Sequence, residues 1–300
     1  MTRTIPVAIL AIAMTSAVAM SADVPTNIAP AELVRSAIQN EMNSSGDRAK
    51  FMFRDEKVTP KGTQTKLVVE TKDATAGLLV AINGKPLTPE QKQAEEARLQ
   101  YLATHPDALA KKKKNEKQDE ENTNRILKAL PDAFVYQYDG VETGTTGVGR
   151  PGDELVRLKF RPNPNYEPPS HTEQVLTGMQ GTMLIDANKR RLAKIDGTLF
   201  KEVGFGWGIL GHLDKGGHFL VVQGDVGENH WEITQMTLDL TGKILLFKSL
   251  VMKSSETFTD FKPAPADLTF VQAIELLKKN ENVVAENHPQ VAKPANQPDK

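Results

Sequence analysis

The 300 residues carry 37 Lys and Arg against 38 Asp and Glu, a formal charge of −1, so no basic surplus argues for nucleic acid. No cysteine is present, which excludes disulfides, thiolate metal sites, a cysteine nucleophile and a lipid-modified cysteine. The length suits one or two domains.

Residues 1–22 combine Arg3, an apolar run from Ile5 to Ala19 and small residues at Ala17-Val-Ala19 and Ser21-Ala22. This pattern fits a cleavable export signal and is short for a membrane span; the competing reading is a buried N-terminal helix. The expected product is exported to the periplasm or the exterior, with no transmembrane span after cleavage. Ile28, Leu33, Ala37, Ile38 and Met42 recur at helical spacing, predicting an amphipathic helix over Ala31–Asn43. Three extended runs follow, Ala49–Val58, Gln64–Lys72 and Ala76–Asn83, separated by turn residues. Phe51 and Phe53 alternate in the first.

Asn83-Gly84 turns the chain, and Thr88-Pro-Glu-Gln starts a helix with a capping residue and proline at its first position. Residues 89–130 are highly charged, including Lys111–Lys114 and Asp119-Glu-Glu121, and read as a solvated helical insertion. Phe134–Tyr138 and Leu155–Phe160 return to strand, and a Pro-rich link with a short helix near Thr172–Leu176 follows.

From Gly181 to Lys253 the chain reads as an antiparallel meander: Thr182–Asp186, Arg191–Phe200, His218–Asp225, His230–Leu240 and Lys243–Lys253. A two-residue Thr241-Gly242 turn would place Leu238 opposite Leu245 and Met236 opposite Phe247. Pro263–Pro265 is expected to break the sheet, Leu268–Lys279 to form a closing helix and residues 286–300 a disordered tail. The fold class is therefore α+β: residues 23–285 as one long, curved, mainly antiparallel half-barrel with helices packed on it.

Gly206-Trp-Gly-Ile-Leu-Gly211 matches a dinucleotide fingerprint literally, but another strand follows at once where that site needs a helix. The glycine-rich connection Gly204–Gly217 presents Phe205, Trp207, Ile209, Leu210 and Leu213, either as a core plug or as a mobile lid that contacts ligand. His212, His218 and His230, with Asp214 and Asp225, are the candidates for a metal, at no recognised metal spacing. No catalytic motif is present, and no cofactor is called for.

Gly181-Thr-Met-Leu-Ile-Asp186 followed by Arg191-Leu-Ala-Lys-Ile-Asp-Gly197, within this element order, resembles the periplasmic lipoprotein-carrier superfamily. That group includes the outer-membrane lipoprotein carrier and receptor and the sigma-factor regulatory sensors. The resemblance implies a half-barrel whose concave side holds an acyl chain, with lipid, lipoprotein or envelope proteins as partners. The alternatives are an envelope hydrolase with a histidine–carboxylate site, and a scaffold whose own helices fill the cavity.

Overall fold

The computed structural model describes residues 28–44, 50–205, 210–244 and 248–286, the side chains only as far as Glu281. The expected export signal and residues 287–300 of the tail lie outside them. The fold is α+β: among the described residues, thirteen strands form one open, antiparallel, half-barrel-like sheet, with five α-helices.

Helix α1 (Pro30–Ser44) buries Leu33, Val34, Ala37 and Ile38, the stripe its sequence spacing predicts. Strands β1 (Lys50–Thr59), β2 (Gly62–Val69) and β3 (Ala76–Ile82) form a meander, and Asn83 and Gly84 at φ 52° and 71° turn β3 into the short β4 (Lys85–Pro86). Helix α2 (Pro89–Thr104) opens with the predicted capping box, in which Thr88 and Gln91 satisfy each other's backbone N–H groups.

Helix α3 (Pro106–Ala133) has 28 residues and so runs for roughly 42 Å. Strands β5 (Phe134–Thr143) and β6 (Glu154–Pro162), a short helix α4 (His171–Gln174) with a 3-10 turn, β7 (Met179–Asp186) and β8 (Arg191–Leu199) follow. The hairpin β9 (Val203–Phe205) and β10 (Gly211–Leu213) precedes β11 (His218–Asp225), β12 (Trp231–Ile244), β13 (Lys248–Ala264) and helix α5 (Phe270–Glu286).

The sheet order is β4-β3-β2-β1-β13-β12-β11-β8-β7-β6-β5, so the first long strand lies beside the last. Cross-strand partners point to the same face. Leu158, Met183, Ile195, Val221, Met236, Glu256 and Lys57 therefore form one row along one face. Arg157, Leu184, Lys194, Val222, Gln235, Thr257 and Glu56 form the matching row on the other.

The two main cores lie on opposite faces. Under α1 and the end of α3, Leu158, Met183, Ile195 and Leu199 pack with Leu33, Ile38 and Leu130. Under α5 and α2, Met52, Leu67, Val69 and Leu78 pack with Leu99, Phe270 and Leu277. Met52 shares its face with Arg54 and Glu56 by strand alternation, which is the face turned away from α1.

Two expectations need correction. Thr241 and Gly242 do not form a turn: β12 continues through them to Ile244, and the register sets Leu238 opposite Ser254 and Met236 opposite Glu256. Gly242 is small because β10 crosses there; a Cβ on it would lie 2.1 Å from the His212 carbonyl oxygen. Leu245 and Phe247, the partners expected for Leu238 and Met236, lie outside the described residues.

The break expected at Pro263–Pro265 is where the strand ends: β13 still pairs Pro263 with Phe51 and stops at Ala264, before Pro265. Beyond Thr257, β13 has no ladder to β12, so a residue without an N–H is tolerated. Finally, α2 and α3 are not merely solvated. Leu99 is buried in the second core, Leu79 N–H donates to Glu95 at 2.8 Å, and Thr75 N–H donates to Glu116 at 3.0 Å.

Candidate functional site

Among the described residues, the helices make their main contacts with β2, β3, β5, β7 and β8, and none lies along β1, β11, β12 or β13 to a comparable extent. On these central strands, the face that carries α1's core further along holds an aromatic patch. Phe51 and Phe53 alternate on β1 and so share that face.

Phe258 and Phe261 on β13 are three apart, a spacing that an unbroken strand would send to opposite faces. A bulge prevents this. Met52 pairs with Lys262 and Arg54 with Thr259, so β13 spends one extra residue, and Asp260 takes φ 57° within it. The rings then meet: Phe53 lies 5.9 Å from Phe258 and 5.4 Å from Phe261, and Phe51 lies 6.1 Å from Phe261. His230 meets Phe51 edge-on at 5.6 Å, and Val68 stands opposite Phe53. Phe53, Phe258 and Phe261 remain only partly buried.

A polar spot borders the patch. Glu256, 9% exposed, accepts an ion pair from Lys57 at 2.7 Å. Asp55, opposite Phe258, keeps its Oδ1 atom buried without a hydrogen-bond partner among the described residues. Burial, and then the neighbouring Glu256, push the Asp55 carboxyl above the ordinary aspartate range, against the pull of Lys66 and Lys57. Together these groups offer an apolar surface with a hydrogen-bonding end.

The sheet's other face carries a shallow, open groove of 610 Å³ along β5–β8, lined by Val135, Gln137, Lys159, Arg161, Gln180 and Thr198. Tyr136 and Phe160 also line it, so charged and polar side chains alternate with apolar surface there.

The glycine-rich connection is anchored to the sheet. β10 pairs with β12, Leu213 is buried in the core under α1, and Phe205 packs against that core with its ring 6.4 Å from His171. Leu210 is 48% exposed, and Trp207 and Ile209 lie outside the described residues.

The histidines do not come together. His218 pairs with Asp196 at 3.0 Å, His230 packs on Phe51, and Asp225 faces Arg150 at 3.6 Å. His212 lies 3.3 Å from Asp214, and these two gather with Glu202. Sequence reading missed the aromatic patch because Phe258 and Phe261 look out of phase. The available signal was Asp260 between them, a residue type that accepts the left-handed backbone a bulge can use.

No family model and no curated protein matches the chain. Among solved structures, it is similar to a domain from Vibrio parahaemolyticus described as an outer membrane lipoprotein-sorting protein domain, at 9% identity and a TM-score of 0.30. The match covers 81% of this chain and 97% of that one. Among the described residues, no helix is long and apolar enough to cross a membrane.

Proposed function

We propose that this chain is an exported, non-catalytic cell-envelope protein that binds a hydrophobic ligand, such as an acyl chain of a lipid or lipoprotein. The binding surface is the face of Phe51, Phe53, Phe258 and Phe261. The observation that carries the reading is the bulge at Asp260, which gathers four rings on strands along which, among the described residues, no helix makes its main contacts.

Each methylene removed from water contributes about 0.8 kcal/mol, so a few carbons on this patch already give measurable affinity. The buried Asp55 Oδ1 accepts a hydrogen bond from a donor on the ligand's polar end. Phe205, Leu210 and Leu213 border the other end of the face in this proposal.

Titration with a fluorescent fatty acid tests it. Saturable binding that Phe53→Asp abolishes, in a variant that stays folded, is the expected result. Absence of binding, or binding untouched by Phe53→Asp and Phe258→Asp, overturns it. Native mass spectrometry of protein purified from its own envelope would then identify the bound molecule.

A further inference from the structure

We propose that Glu202, His212 and Asp214 form a binding site for a divalent cation of the zinc type at the β9–β10 hairpin. His212 and Asp214 are two apart across the end of β10 and so share a face. The pairs Gly204 to His212 and Val203 to Leu213 carry Glu202 to the position across from Asp214. One ligating atom from each of the three lies within 4.8 Å of the others.

Two features make this more than a chance gathering of polar groups. The His212 Nε2 to Asp214 Oδ1 distance is 3.3 Å. That is close to the ligand-to-ligand edge of a tetrahedron with metal bonds of about 2.0–2.1 Å. Asp214 is also held from behind: Thr241 Oγ1 donates to its Oδ2 at 2.7 Å, and its backbone N–H donates to the Thr241 carbonyl at 2.8 Å. Such an outer contact fixes one carboxylate oxygen and leaves Oδ1 facing the ion.

One imidazole with two carboxylates suits zinc, while magnesium prefers oxygen ligands and retained water. The His212 and Asp214 side chains are 20% and 46% exposed, so water can complete the coordination. Lys243 stands across from His212 in the register and is the local competitor, yet no ion pair joins it to Glu202 or Asp214 among the described residues. The bound ion ties the segment leading into β9 to β10, beside the crossing with β12.

The test is calorimetric titration of chelator-stripped, tag-free full-length protein with zinc, and with magnesium as comparison. One saturable zinc site is expected, lost in both His212→Ala and Glu202→Gln, and weakened about tenfold in Thr241→Val, which keeps every donor. Zinc should also shift the imidazole NMR resonances of His212. If zinc binding is absent, or is equal in folded Glu202→Gln and parent protein, the site does not exist. Magnesium binding as tight as zinc would equally refute the proposed donor chemistry. Glu202 is exposed, so its variant remains informative if His212→Ala fails to fold.

Discussion

Phe261 stacks on Phe53 with ring centroids 5.4 Å apart and planes 28° apart, although its spacing from Phe258 would send one of the two to the far side of a regular strand. The extra residue at Asp260 is what reconciles them. Deleting Asp260 should turn Phe261, or Phe258, to the opposite face. Both the melting temperature and fatty-acid affinity should fall. Asp260→Gly keeps the bulge, since glycine accepts positive φ freely, and should leave both within about 1 kcal/mol of the parent. Equal behaviour of the deletion and the parent would show that the bulge is dispensable.

Asp55 gives a pH-dependent prediction. Its carboxyl titrates higher in the folded chain than the ordinary aspartate value of 3.8, through burial first and Glu256 second. A raised acid favours the folded state when protonated, so its contribution is fully present below 3.8 and is lost as pH rises through the folded value. Asp55→Asn should therefore melt higher than the parent at pH 7, by a margin that shrinks as pH approaches 4. Thermal melts across that range decide it; a margin that grows on acidification contradicts the assignment.

Gly242→Ala separates the strand crossing from the turn expected on sequence. A Cβ there would sit 2.1 Å from the His212 carbonyl oxygen, on backbone that cannot rotate away. The expected cost is about 1–3 kcal/mol, the usual range for overpacking, with β10 displaced from β12. Chemical denaturation measures the loss, and amide exchange at Leu213 and Asp214 locates it.

Leu99→Ala tests whether the charged helices belong to a core. Leu99 is 1% exposed, among Leu78, Phe270 and Leu277. Truncation should cost roughly 2–5 kcal/mol. A change below 1 kcal/mol, read by denaturant unfolding, would return α2 to the role of a solvated appendage.

The fold was largely legible because alternating and helical apolar patterns each name an element. The Thr88 capping box, the Asn83-Gly84 turn and the α1 stripe all appear where the spacing puts them. The candidate site was less legible for a physical reason: strand period assigns faces only between bulges, and the phase slips at Asp260. Gly242 misled in a related way. A glycine after threonine reads as a turn, whereas here its missing side chain admits another backbone. In α2, Leu99 is one apolar residue within a charged stretch, and composition hides a single deeply buried position.

The pairing of β1 with β13, Lys50 against Ala264, also bears on how the molecule comes into being. The strands that join the two cores are separated by some two hundred residues of chain, a contact of the kind that forms slowly. During synthesis β1–β3 can form a meander, but its inner edge stays open until β13 has been made. An intermediate lacking residues 248–264 should therefore expose the β1 edge and the Phe51 and Phe53 rings, and would be the species that requires a chaperone during synthesis.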